Sequence, residues 1–416
     1  MIPGHRTMLL AALLAASAQA FASFSTLVAS GPASNRVDIA FLGDGYTAGD
    51  LAAGLYANDV LSYVSAMFAP GLNQDPFHRY RNYFNVYRVA LVSAQSGADV
   101  PPLGIYRDTA LDASYYGDGA TERLLNVDAA KAEAAMNSAF AGSGIAPEMR
   151  FVAVNDSRYG GSGGAYTVYA GGNSSSHEIA LHELGHSFSG LADEYGGLPG
   201  AYDGGEPAEV NVTTDPGGAK WSRWLGHDQP GIGTIGAYAG AAYFDSGIYR
   251  PSPNSKMRSL GQPFDAVARE KIILDIYALT DPLDGWLDTS SLLPASTTLW
   301  VDEIDPDVID VQWYVDGSLV AGASANRFRL ADFGYGPGVH SVAARAFDPT
   351  GFDPVSGWVR ADASALEQTV TWTVQVVPEP ENVLLLLAGL ALLGARLRRD
   401  HRVCAALRRA QASPAK

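Results

Sequence analysis

Apolar positions along this chain fall into two regimes. In the first, residues 37–42 are apolar but for Asp38 and stop at Gly43-Asp44-Gly45, the pattern of a buried strand that ends in a turn. Residues 51–68 carry apolar side chains at helical spacing, and 84–93 alternate as a second strand does. Residues 129–140 are alanine-rich and helical, and 149–154 form a third strand. Asp265 caps a last helix that runs to Leu279. Strand, helix, strand, helix, strand predicts an α/β (α+β) domain, which we bound at residues 23–285. A linker follows at 286–295. Beyond it, four short strand-like runs at 311–315, 327–330, 340–346 and 370–374 are separated by Asp, Gly and Pro. They predict a small all-β sandwich over 296–376. Within the first regime, 160–172 is dense in glycine but lacks the lysine of a phosphate loop, so it is no nucleotide cradle. Residues 165–169 inside it predict an edge strand able to pair with an extended peptide.

The candidate chemistry lies just after that glycine-dense stretch, at His182-Glu183-Leu184-Gly185-His186. Four residues make about 1.1 helical turns, so both imidazoles project from one face and can share one Zn²⁺. Glu183 sits where it can take a proton from a water on that ion. Ile179, Ala180, Leu181 and Leu184 are neighbours suited to a buried helix, a poor place for unpaired histidines and a glutamate. Gly190 predicts the helix stop. A turn there brings Leu191-Ala192-Asp193-Glu194-Tyr195 back toward the pair. A catalytic zinc takes three protein ligands and keeps one position open. The third ligand is expected to be Asp193, with Glu194 as the alternative. Residues 249–258 (Tyr-Arg-Pro-Ser-Pro-Asn-Ser-Lys-Met-Arg) are rich in turn formers. Tyr195 and Tyr249 are the oxyanion candidates. His177 and Glu178 read as structural.

This order of glycine, turn and ligand resembles the metzincins, whose pattern is H-E-x-x-H-x-x-G-x-x-H. Here the glycine follows the second histidine by four residues instead of three, and Asp stands where the last histidine would. The metzincin resemblance implies that Met257, in the turn-rich stretch 249–258, is a packing floor beneath the metal, a methionine turn. Six segments in order resemble the IgA-specific metallopeptidase family. They are 41–47 (Phe-Leu-Gly-Asp-Gly-Tyr-Thr), 76–87 (Pro-Phe-His-Arg-Tyr-Arg-Asn-Tyr-Phe-Asn-Val-Tyr), 96–99 (Ser-Gly-Ala-Asp), 159–164 (Tyr-Gly-Gly-Ser-Gly-Gly), 182–195 and 249–258. The resemblance implies a metzincin-like zinc peptidase domain and endopeptidase activity on a protein or peptide substrate. It does not imply immunoglobulin as that substrate. The β region is similar to immunoglobulin-like domains found after exported bacterial enzymes.

Both ends carry targeting patterns. His5 and Arg6 precede an apolar run from Met8 to Ala18, and small residues allow cleavage after Ala20 or Ala22. Residues 1–22 are therefore expected to be a secretory signal peptide. At the other end Val377-Pro378-Glu379-Pro380 precedes an apolar run at 383–395, then Arg396, Arg398 and Arg399. At about 1.5 Å per residue the run reaches roughly 20 Å, short of the ~30 Å hydrocarbon core. It suits a transient transmembrane stop held by cytoplasmic arginines. Residues 377–399 resemble the PEP-CTERM sorting signal, with 400–416 as a cytoplasmic tail. That signal implies an exosortase-type sorting enzyme as partner and transient membrane association through this segment. It places the mature chain at the cell surface or in the extracellular matrix of a Gram-negative bacterium.

Charge fits that picture. The formal net charge is −16, and removing both ends takes away eight basic and three acidic residues, leaving −21. Such a surface repels nucleic acid and anionic membranes. The one cysteine, Cys404, lies in the tail, so the mature chain would hold neither disulfide nor thiol nucleophile. Asp302, Glu303, Asp305, Asp307 and Asp310 could take a structural Ca²⁺, though a solvated acidic loop is the better reading. The expectation is a secreted zinc endopeptidase. Its rival is a catalytically inactive adhesion or binding protein on the surface or matrix, against which the intact His182, Glu183 and His186 speak.

Overall fold

The computed structural model describes residues 23–353, 356–377, 388–396 and 398–399. The segment expected as a signal peptide, the Pro378-Glu379-Pro380 motif, Cys404 and the expected tail lie outside them. Residues 388–396 are helical, and no helix among the described residues is long and apolar enough to cross a membrane. The chain forms two compact units.

The first unit is built on a six-stranded sheet. Its strands are β1 (Phe24–Val28), β2 (Val37–Asp44), β3 (Phe84–Val89), β4 (Met149–Val154), β5 (Gly161–Ser162) and β6 (Thr167–Ala170), in the order β1-β3-β2-β4-β6-β5. β2 runs parallel to β3 and β4, and β4 to β6. All eight residues of β2 are buried, which explains an apolar run where a half-exposed strand would alternate. The helices are α1 (Ala48–Ala52), α2 (Leu55–Met67), α3 (Ala129–Phe140), α4 (Ser176–Ser189) and α5 (Ala266–Tyr277). Successive strand residues face opposite ways. Phe41 and Phe151 meet Tyr63 of α2, while Ala40, Leu42 and Val152 pack in one cluster with Met136 and Phe140 of α3. α4 lies on the α2 side, where His177 bonds Ser62 at 3.0 Å.

Two expectations change here. The edge strand expected at 165–169 is internal, because β6 runs between β4 and β5. The true edge, Gly161, is itself capped: its N–H donates to the Arg123 carbonyl at 3.1 Å and its carbonyl accepts from Leu125 N at 3.4 Å. The first unit also extends past residue 285, for it includes 304–308 and 348–366. Buried carboxylates are the reason. Asp348 accepts from Arg79 at 2.9 Å, Tyr80 at 2.6 Å and Tyr277 at 3.1 Å. Glu270 accepts from Arg223, Trp224 and the amides of Arg360 and Ala361. Asp305 accepts from Asn82 at 2.9 Å.

Past α4 the first unit adds β7 (Leu198–Ala201), β8 (Asp228–Gln229), β9 (Gly233–Thr234), β10 (Tyr238–Ala241) and β11 (Phe244–Arg250). β10, β11 and β7 form a small sheet, and β8 pairs with β9.

The second unit is built mainly of strands. It holds β12 (Leu283–Trp286), β13 (Leu293–Pro294), β14 (Leu299–Glu303), β15 (Asp310–Val315), β16 (Ser318–Leu319), β17 (Arg327–Phe328), β18 (Gly338–Phe347) and β19 (Glu367–Val376). The sheets are β13-β19-β18-β15-β16 and β12-β14-β17. Trp313 of the first stacks on Phe328 of the second at 5.0 Å, and on Trp372 at 5.6 Å. The stretch expected as a linker, 286–295, thus contains the end of β12 and all of β13. The acidic residues from Asp302 to Asp310 form no metal-binding group of three among the described residues. Asp302 and Asp310 are exposed, while Asp305 is taken up by Asn82 and the Asp307 amide.

Candidate metal centre and active-site cleft

α4 carries the candidate centre because its sequence is helical over one full stretch and then cannot continue. Gly190 at its end adopts φ 57°, ψ 35°, and its N–H returns to the carbonyls of Gly185 and His186. That left-handed turn suits glycine. It sends residues 191–195 back along the helix. Asp193 Oδ1 then lies 3.0 Å from His182 Nε2 and 3.2 Å from His186 Nε2, and the two Nε2 atoms are 3.2 Å apart.

Hydrogen bonds settle the tautomers. His182 Nδ1 faces the Lys256 carbonyl at 2.9 Å and His186 Nδ1 faces the Leu191 carbonyl at 2.6 Å. A carbonyl only accepts, so each Nδ1 donates and each neutral imidazole turns an Nε2 lone pair inward. Asp193 Oδ1 is buried with no hydrogen-bond partner. Three acceptors facing one another require a positive charge among them. Their spacing fits an ion bonded tetrahedrally at about 2.0–2.1 Å. Among the described residues these are the group of three that could hold a metal. Burial pushes the Asp193 carboxyl up, but the imidazoles of His182 and His186 beside it and the bond from Tyr243 hold it well below the usual carboxylate range.

Glu194, the alternative ligand, points elsewhere. It is wholly buried and accepts from Asn211 at 2.9 Å and Ser255 at 2.6 Å. Burial, and then the charge of Asp265, pushes its carboxyl up. Glu183 lines the cleft beside the histidines. Burial raises its carboxyl, against the opposing pull of His182 and His186.

Met257 is fully buried under α4. A Cβ on Gly185 would stand 2.6 Å from its sulfur, so the glycine of the motif exists to admit the methionine. The loop holding Met257 is tied to α4 by Glu178, which accepts from Lys256 Nζ at 2.5 Å and Gly261 N at 2.9 Å. Glu178 is structural in this sense: it fixes the loop whose carbonyl orients His182. His177 bonds Ser62 away from the centre.

Tyr195 lines the cleft, but Tyr249 does not. Tyr249 lies on β11, where its backbone pairs with Thr213. The tyrosine that reaches the centre is Tyr243, whose hydroxyl donates to Asp193 Oδ2 at 2.6 Å. It sits at φ 73° in the turn between β10 and β11, and that turn docks by Ala242 N to Asp193 O and Tyr243 N to Tyr195 O. No sequence signal marks it. The cleft itself has a volume of about 700 Å³ and runs along Gly161 to Gly164, with Arg123 on its wall. That is room for a peptide segment. A smaller pocket of about 190 Å³ opens beside Glu183.

No curated protein matches the chain. A family model described as IgA peptidase M64 matches residues 26–234, half of the chain, and this span holds Arg123, His182, Glu183, His186 and Asp193. The chain belongs to the IgA peptidase M64 family, a family of peptidases.

Proposed function

We propose that the chain is an exported zinc-dependent endopeptidase that hydrolyses extracellular proteins. The observation that carries this reading is the convergence of His182 Nε2, His186 Nε2 and Asp193 Oδ1 within 3.2 Å of one another, with Glu183 in the same cleft. His182, His186 and Asp193 would hold the ion, for two imidazole nitrogens and a carboxylate oxygen suit zinc. When bound, the ion supplies Lewis acidity to the scissile carbonyl and the attacking water. Glu183 moves the proton. It takes one from the water as the new C–O bond forms and gives it to the amine nitrogen as the C–N bond breaks. Tyr243 keeps Asp193 oriented through its second oxygen. Tyr195, on the cleft wall, is the residue we assign to the oxyanion.

The test is casein cleavage by residues 23–377, with and without a chelator, alongside Glu183→Ala. Chelation is expected to abolish cleavage and added zinc to restore it. Glu183→Ala should lower kcat by about 100-fold or more with zinc still bound. Full activity in that variant would sink the role of Glu183. No cleavage by the zinc-loaded parent would favour the inactive adhesion protein.

The targeting patterns support export, with an exosortase-type enzyme releasing the chain from transient membrane attachment to the surface or matrix. Sequencing the termini of secreted protein checks this: the chain should begin after Ala20 or Ala22 and end near Pro378.

A further inference from the structure

We propose that the small pocket beside Glu183 binds a substrate carboxylate between Arg123 and Arg258, so that the preferred peptides carry an acidic group next to the scissile bond. The inference rests on the peptidase reading above and names its substrate class. The pocket, of about 190 Å³, is lined by Arg123, Arg258, Ile179, Leu260 and Glu183 together with His182. A water takes roughly 30 Å³ of liquid, so the space suits one short side chain or a chain end and not a folded segment.

Two arginines in one pocket are unexpected in a chain of net charge −16. Neither forms an ion pair with a carboxylate among the described residues, where Arg79, Arg150, Arg223 and Arg345 all do. Arg258 donates Nη1 to the Glu194 carbonyl at 3.3 Å, which fixes its position without neutralising it. Arg123 lines the pocket beside Tyr159 and Tyr195. Both arginines thus line the pocket without an ion-pair partner among the described residues. Glu183 offsets one of the two charges, and the other is left for a ligand. Like charges sharing a pocket repel, so an anion between them gains from both. A guanidinium fork also matches a carboxylate in geometry. Ile179 and Leu260 supply the apolar wall that the methylene stem of an acidic side chain needs.

The carboxylate has two sources. It is either the side chain of an Asp or Glu flanking the scissile bond, or the C-terminal carboxylate of a short substrate. One quenched fluorescent peptide scaffold separates them, carrying Glu, Gln or Lys at each flanking position and ending in a free acid or an amide. The zinc-loaded chain 23–377 is assayed on each peptide, with casein as the control. For a side-chain source, Glu is cleaved at least about 10-fold better than Gln in kcat/KM at one position, with Lys poorest. For a terminal source, amidation causes that loss instead. Arg258→Gln should collapse the preference by raising KM for the favoured peptide alone. Arg258→Glu should turn the order toward Lys. Casein cleavage combined with equal rates on Glu, Gln and Lys, and on acid and amide, overturns the subsite and leaves the peptidase reading standing. No cleavage of casein overturns both.

Discussion

Asp193 and Glu194 are adjacent in the chain and have opposite surroundings. Asp193 offers an unpartnered oxygen to two imidazoles, whereas both Glu194 oxygens are spent on Asn211 and Ser255. Asp193→Ala is therefore expected to lose bound zinc. Glu194→Gln should keep the zinc but lose about 1–3 kcal/mol of stability, because an amide NH2 then stands where Asn211 or Ser255 needs an acceptor. Metal analysis after gel filtration, paired with urea unfolding, reads both. Zinc lost from the second variant and kept in the first would reverse the ligand assignment. A second residue gives a pH test away from the centre. Burial raises the Asp59 carboxyl, opposed by the bond from Tyr46 at 2.6 Å. The folded state thus holds the Asp59 proton more tightly than the unfolded state does. Stability from this group is present at low pH and is lost as pH rises through the raised folded pKa. Asp59→Asn keeps an acceptor for Tyr46 and cannot ionise. Its melting temperature relative to the parent should accordingly be higher at pH 8 than at pH 4, measured with chelator present; the opposite trend refutes the raised carboxyl.

At the scale of elements, the centre depends on one helix and one loop held face to face. Gly185 on α4 meets the Met257 sulfur, and Glu178 on α4 meets Lys256 in the loop. Gly185→Ala gains roughly 1 kcal/mol of helix propensity but drives a methyl into a fully buried side chain, which costs about 1–3 kcal/mol. A net loss is expected. Met257→Ala should relieve it, so that the double variant is more stable than the sum of the single effects, as a double-mutant cycle would show. Glu178→Ala leaves the buried Lys256 ammonium without its partner and should cost about 3–5 kcal/mol. Adding Lys256→Met should recover much of that in denaturant unfolding. If Glu178→Ala alone is silent, the clamp is not what holds the loop. The elements themselves were readable wherever neighbours in sequence decide them. The runs that became β2 and β4 and the helices α3 and α5 lie within a few residues of where the apolar pattern puts them. The edge strand was misplaced because strand order is not a local property. Nothing in residues 160–172 says that β6 runs between β4 and β5.

At the scale of the whole molecule, the first unit is not one continuous stretch: it runs to Asp281 and takes in 304–308 and 348–366. Asp348 and Glu270 each satisfy several donors of the first unit, and 348–366 belongs to that unit. A fragment of residues 23–285 leaves Arg79, Tyr80 and Tyr277 without their acceptor. It is expected to be aggregated or to melt far below the 23–377 chain in calorimetry. A fragment that melts with the full chain contradicts that dependence. The sequence alone determined what four or five consecutive residues can decide. It placed two imidazoles on one helical face with Glu183 between them, ended the helix at Gly190, and marked Met257 as a floor. Tertiary structure decided the rest. It chose Asp193 over Glu194, added Tyr243 behind Asp193, brought Arg123 and Arg258 to one pocket, and assigned 348–366 to the first unit. The physical reason is separation along the chain. Asp193 and Tyr243 are 50 residues apart, His182 and Lys256 are 74 apart, and Arg79 and Asp348 are 269 apart. Partners that distant leave no periodicity to read. They meet only because a folded interior must give each buried donor and acceptor a partner.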